Sequence, residues 1–167
     1  MISPVKARKI CLLGDFAVGK TSLVMQFLHQ SFSERYLTTV GVKVDTRLLV
    51  TSHGEVKLVV WDLAGAAQLN AAGRAYLQGA AGLLLVCDGT RRETLASAMA
   101  LREQSRLLRG SLPTLLLVNK SDLADRQELD DATLADVSGQ FDEVLRTSAR
   151  SGENVEAAFL RLAERCR

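Results

Sequence analysis

Eight residues near the start of the chain, Gly14-Asp15-Phe16-Ala17-Val18-Gly19-Lys20-Thr21, set a glycine at each end of a short loop and follow it with a cation and a hydroxyl. That spacing suits a polyphosphate. A dense anion has to be met by backbone N–H groups from several directions, and the two glycines let the loop wrap closely. The helix that follows adds the partial positive charge of its N-terminus. Lys20 brings a full cation to the terminal phosphates, and the Thr21 hydroxyl is a hard oxygen donor of the kind Mg²⁺ takes. Gly14, Phe16, Ala17, Val18, Gly19 and Ser22 complete the predicted cradle.

A second constellation follows the apolar run Leu115-Leu116-Leu117-Val118 and reads Asn119-Lys120-Ser121-Asp122. Guanine shows two adjacent donors on one edge, N1–H and the N2 amino group, and the single carboxylate of Asp122 can accept both. Adenine has no such pair, so the carboxylate is left unpaired against it, which costs about 1–3 kcal/mol. Asn119 can donate to the base and tie this loop to the phosphate loop. The methylenes of Lys120 can lie over the base plane. Leu123 follows directly. Further on, Thr147-Ser148-Ala149-Arg150 occupies a predicted turn, where the Ala149 N–H can reach the guanine O6.

These loops need a scaffold, and the apolar periodicity supplies one. Lys9–Leu13, Gly82–Cys87 and Thr114–Val118 are continuous apolar runs, as expected for central strands covered on both faces. Val42–Thr51 and Glu55–Trp61 read as a hairpin through Ser52-His53-Gly54, and Phe141–Arg146 as a last strand. Helical spacing recurs at Leu23, Val24, Phe27 and Leu28, over Thr94–Arg109, and at Val155, Ala158, Phe159 and Leu162, with Ser151 or Asn154 near the last cap. The order β-α-β-β-α-β-α-β-α-β-α predicts a doubly wound, six-stranded, mostly parallel α/β sheet with one antiparallel edge strand and helices on both faces. The 167 residues suit one domain, 1–167.

With 21 basic and 19 acidic residues the charge is too even to imply nucleic-acid binding. Arg161, Arg165 and Arg167 are interleaved with Glu156 and Glu164, so they read as a solvated helix face rather than a membrane-binding stripe. Cys11, Cys87 and Cys166 have no metal-ligand spacing, and a reduced, cytoplasmic setting is expected.

Taken together, the phosphate loop, Thr39-Val40-Gly41, Trp61-Asp62-Leu63-Ala64-Gly65, Asn119–Asp122 and Ser148-Ala149 resemble the Ras-like small GTPases of the P-loop class, most closely the Rab branch. The tract Gly14–Leu23 with Trp61–Gly65 looks like the Rab-like GTPases found in bacteria. The resemblance implies GTP or GDP with Mg²⁺ as ligands. It implies Phe32 against the guanine, Tyr36 closing over the phosphates, and Thr39 on both Mg²⁺ and the γ-phosphate. Asp62 would hold a Mg²⁺-bound water and the Gly65 N–H would touch the γ-phosphate, with Lys20, Thr39 and Gly65 serving hydrolysis. Effector, exchange and activating proteins would read the loops Ser31–Gly41 and Asp62–Arg74.

Three departures qualify that picture. The family usually continues with Gln-Glu after Gly65, but this chain has Ala66-Ala67-Gln68. The position that orients the attacking water is thus Ala66, which has no polar group, and slow hydrolysis is expected. Gln68 could substitute only by a slip of two residues. Phe16 is bulky where relatives are small, near where an arginine finger would enter. Cys166-Arg167 at the end carries no prenylation signal, so no lipid anchor is expected in this chain. Two other readings remain: a nucleotide-binding pseudo-GTPase with negligible turnover, which Ala66 favours, and a P-loop ATPase or small-molecule kinase, which Asn119–Asp122 opposes.

Overall fold

In a computed structural model, residues 4–29, 42–63 and 71–167 are described. Among these residues six strands form one sheet in the order β2-β3-β1-β4-β5-β6. They are β1 (Lys6–Gly14), β2 (Val42–Thr51), β3 (Gly54–Leu63), β4 (Ala80–Asp88), β5 (Thr114–Asn119) and β6 (Glu143–Arg146). Only β2 runs antiparallel, against β3. Among the described residues there are five α-helices: α1 (Lys20–His29), α2 (Ala71–Tyr76), α3 (Glu93–Arg109), α4 (Asp131–Ser138) and α5 (Val155–Arg165). The architecture is the expected one.

The unbroken apolar runs are explained by burial on both faces. Because side chains alternate along a strand, Ile10 and Leu12 of β1 join Leu84, Val86, Leu115 and Leu117 under α1 and α5. Cys11 and Leu13 join Leu83, Leu85, Leu116 and Val118 under α3 and α4. On the first face Phe27 of α1 stacks on Phe159 of α5, with centroids 4.0 Å apart. All three cysteines are buried and free. Burial pushes the Cys11 thiol up to about 11 and Cys87 up to about 12, so both behave as small apolar residues.

Two local expectations are corrected. The last strand starts at Glu143 rather than Phe141. The chain is still turning at Asp142, whose carboxylate accepts the Thr114 N–H at 2.7 Å, while Phe141 packs into the core. Asn154 does precede α5, but in a left-handed conformation with φ 56° and no side-chain cap. Its amide instead donates to the Arg146 carbonyl at 2.8 Å, tying the helix start to β6. The α5 arginines Arg161 and Arg165 are partly exposed, as expected of a solvated face, and both bond Glu143 on β6. Among the described residues no helix is long and apolar enough to cross a membrane.

Candidate nucleotide site

Parallel strands deliver their loops to one edge, and β1, β3, β4 and β5 end together there. Leu12 is in register with Asp62, Gly14 with Val86, and Asp88 with Asn119. The glycine loop, the acidic end of β3 and the base-reading loop are therefore neighbours by sheet register alone.

The two loop glycines have different causes. Gly14 lies so close to β4 that a Cβ would collide with the Val86 carbonyl. Gly19 has φ 103°, and a Cβ there would collide with the Asn119 amide. Between them Ala17 adopts φ 62°, unusual for a residue with a side chain. The loop is braced from outside. Asp15 accepts Ser97 Oγ of α3 at 2.9 Å and its own neighbour's Phe16 N–H. The Phe16 carbonyl accepts Arg91 Nη2 at 2.9 Å, while the Phe16 ring is half exposed. Val18 turns its side chain into the core and leaves only backbone for the loop.

Lys20 is 6% exposed and folds back over this loop, donating to the carbonyls of Gly14 at 3.0 Å and Asp15 at 3.1 Å. Burial lowers its pKa to about 8, with Asp62 and Asp15 opposing the shift. Thr21 Oγ donates to Asp62 Oδ2 at 2.6 Å. Asp62 is 1% exposed, and its other oxygen, Oδ1, is buried with no hydrogen-bond partner among the described residues. Burial raises the Asp62 pKa, against the Thr21 hydrogen bond and the Lys20 charge. An orphaned carboxylate oxygen beside a hydroxyl is the hard-oxygen set that suits Mg²⁺. The residues present thus fit the ion that the fold family implies.

At the other end, Gly19, Ser22, Asn119, Lys120, Asp122, Leu123, Ala149 and Arg150 line a cleft of about 230 Å³. All eight are residues singled out from the sequence. Asn119 ties the parts together. Its Nδ2 donates to the Val18 carbonyl at 2.9 Å, while its Oδ1 accepts the Ala149 N–H at 3.3 Å and Thr147 Oγ at 3.2 Å. Lys120, with φ 68°, reaches across to the Ala17 carbonyl at 2.9 Å. Asp122 accepts Ser148 Oγ at 2.8 Å.

Several supporting residues were not anticipated from sequence. Asp88, 1% exposed, holds Lys120 Nζ at 2.8 Å and Arg91 Nε at 3.1 Å and accepts Thr90 twice. Burial works to raise its pKa, but the bonds from Lys120 and Thr90 outweigh it and hold the carboxyl below the usual value. Gln127 donates to the Lys120 and Leu123 carbonyls, and Glu153 accepts Ser121 Oγ at 2.7 Å. Asp88 had a signal, since a carboxylate ending a fully apolar strand must find partners at the loop edge. Gln127 and Glu153 had none. The expected contacts of Phe32, Tyr36, Thr39 and Gly65, with Ala66 and Gln68, lie outside the described residues.

A doubly wound sheet with a glycine loop after its first strand and a base-reading loop after its fifth defines the class of P-loop GTPases. The chain belongs to the Ras family, which it matches over residues 9–167. It is 38% identical over 155 residues to Ras-related protein RABA4a of Arabidopsis thaliana, an alignment covering 90% of this chain and 68% of that relative. It is a Ras-like, Rab-like small GTPase, a guanine-nucleotide switch by family.

Proposed function

We propose that residues 1–167 form one GTP-binding domain that switches between GTP and GDP states and hydrolyses GTP slowly. The observation that carries the reading is Asn119. One side chain bonds both the Val18 carbonyl of the phosphate loop and the Ala149 N–H of the base cleft. That shared side chain supports reading cradle and cleft as two ends of one nucleotide site.

In this reading the loop from Gly14 to Thr21, with Ser22, holds the phosphates through backbone N–H groups and the helix start. Lys20 leaves the Gly14 and Asp15 carbonyls to meet the β- and γ-phosphates. Asp122 accepts the two guanine donors, the Ala149 N–H bonds O6, and Lys120, Leu123 and Arg150 enclose the base. Thr21 and Asp62, with Thr39, would hold Mg²⁺, which supplies charge neutralisation at the β- and γ-oxygens when bound. Phe32, Tyr36 and the Gly65 N–H close the site, and loops 31–41 and 62–74 present the nucleotide state to effector, exchange and activating proteins. The buried free thiols support a reduced cytoplasmic setting.

Water must attack the γ-phosphorus in line as the bond to GDP breaks, and positioning dominates that chemistry. Ala66 offers no group to orient the water, and the Phe16 ring stands half exposed above the loop. Single-turnover hydrolysis tests the claim. Ala66→Gln should raise the rate at least about tenfold; a variant no faster than the natural chain removes Ala66 as the cause. Ala66 also favours a second reading, a pseudo-GTPase that holds nucleotide without turnover. Multiple-turnover phosphate release with excess Mg²⁺ separates the two, and GTP preferred over ATP in direct competition is expected of both.

A further inference from the structure

The end of the sheet opposite the nucleotide site carries a cavity that the GTPase reading does not use. It is about 540 Å³ and opens where β1 and β4 begin, with Gly79, Ala80 and Ala81 along one wall. Five cations line it: Arg8 and Lys9 from β1, Arg109 from α3, and Arg165 and Arg167 at the end of α5. No aspartate or glutamate lines it among the described residues. The chain as a whole carries a net charge of only +2, so this is a local concentration rather than a general basicity.

Ordinary structural roles account for part of the cluster. Arg109 and Arg165 sit in the last turns of α3 and α5, where a cation complements the helix dipole. Arg165 also bonds Glu143 at 3.2 Å. Lys9 packs its ammonium 3.7 Å from the Trp61 ring and donates to the Gln78 carbonyl. What these roles leave is charge without countercharge. Arg8, Lys9 and Arg109 donate only to backbone carbonyls, of Ala7, Gln78 and Ala80, and form no ion pair among the described residues. Arg8 and Lys9 stand at a strand start, where no helix end calls for them. They point to opposite faces of the sheet, because neighbours on a strand alternate. The cavity at the rim is the place where both can meet one ligand.

We infer that this rim is a second anion site, for a phosphate-bearing polyanion held by Arg8, Lys9, Arg109 and Arg167. Guanidinium groups offer forked donors that match phosphate oxygens, and four cations lining one cavity suit a ligand with more than one negative charge. The binding falls as salt rises, since the cavity is open to solvent and screening acts within about 8 Å at physiological ionic strength. The site stands independently of the nucleotide reading, at the other end of every strand.

The test uses the full chain loaded with GDP and Mg²⁺, so that the glycine loop is filled. Inositol trisphosphate is titrated by calorimetry and by amide NMR, and in parallel vesicles of phosphatidylcholine are offered with and without phosphatidylinositol bisphosphate. Saturable one-site binding, with shifts at Arg8, Ala80 and Arg109, supports the proposal. Binding of the soluble probe marks a free anion as ligand, and binding to the phosphorylated vesicles alone marks a lipid headgroup. The double variant Arg8→Gln/Arg109→Gln should bind about tenfold more weakly at unchanged GDP affinity. Arg167→Gln, at an exposed position, supplies the same reading if the double variant does not fold. Failure of both probes, equal affinity in the variants, or capture of a polyglutamate peptide in place of either phosphate probe overturns it.

Discussion

The two ends of the nucleotide site are built on opposite terms. At the base end nearly every polar group is already engaged. Asn119 makes bonds to Val18, Thr147 and Ala149, Asp122 is held by Ser148, and Lys120 lies between Ala17 and Asp88. At the phosphate end the groups are strained by burial and incompletely matched. Among the described residues Lys20 has two carbonyls as partners and a pKa lowered to about 8, and Asp62 keeps one buried oxygen without a partner. A preorganised end discriminates, because its geometry exists before the ligand arrives. An unsatisfied end supplies affinity, because the ligand relieves desolvated charge that the fold alone leaves exposed to cost.

That contrast is open to direct attack. The largest effect is expected at Lys20→Ala, which should weaken GDP binding by about 100-fold, with fluorescent GDP titration as the measure. Guanine over adenine preference should survive this change, and a variant that loses preference and affinity together would collapse the distinction between the ends. Asp122→Ala makes the reciprocal case. Guanine affinity should drop by roughly 10- to 100-fold, about 1.4–2.7 kcal/mol, while the Mg²⁺ dependence of binding stays as it was.

Asp88→Asn is predicted to act more mildly, by about tenfold on guanine nucleotides, because it frees Lys120 and Arg91 without touching a ligand. Its pH signature is specific. The folded carboxyl titrates below the ordinary 3.8, so its stabilisation is complete above that value and is lost as pH falls through the folded one. Urea unfolding should therefore show the gap between natural and variant chains closing under acid, and a constant gap would contradict the ion-pair account.

The smallest effect concerns the Lys20 proton. Without nucleotide, Lys20 titrates near 8 when folded and near 10.5 when unfolded. Between those values the unfolded chain binds the extra proton, so the nucleotide-free protein gains stability as pH rises through that window. Phosphates restore the ammonium, and GDP binding above pH 8 should take up as much as about one proton. Calorimetry in buffers of different ionisation heat reads this directly. No buffer dependence at pH 9 would mean that Lys20 is charged throughout and that the phosphate end is less strained than its burial implies.

Much of this was open to inspection in the primary structure. Gly19, Lys20 and Thr21 after an apolar strand, and Asn119 to Asp122 after another, require no fold to suggest their chemistry, because spacing along one loop fixes which groups face one ligand. The unbroken apolar runs of β1, β4 and β5 likewise announce strands buried on both faces. Two local features escaped. Asn154 binds a strand carbonyl instead of capping its helix, and the chain at Phe141 is still turning where β6 was expected to begin. At the strand start the competing partner, Thr114, lies on another strand, and at the helix start it is Arg146, eight residues back at the end of β6.

Sequence alone, then, singled out which short segments suit phosphate and base chemistry, since those are contiguous residues acting through backbone and adjacent side chains. Only the tertiary structure decided that Asn119 joins the two loops and that Asp88 anchors Lys120. It also decided that, among the described residues, one oxygen of Asp62 is left buried without a partner, and that Arg8, Lys9 and Arg109 line one rim cavity without an aspartate or glutamate side chain. Those facts depend on which strands lie side by side and how deeply each group is desolvated. Neither is a property of any stretch of chain taken singly.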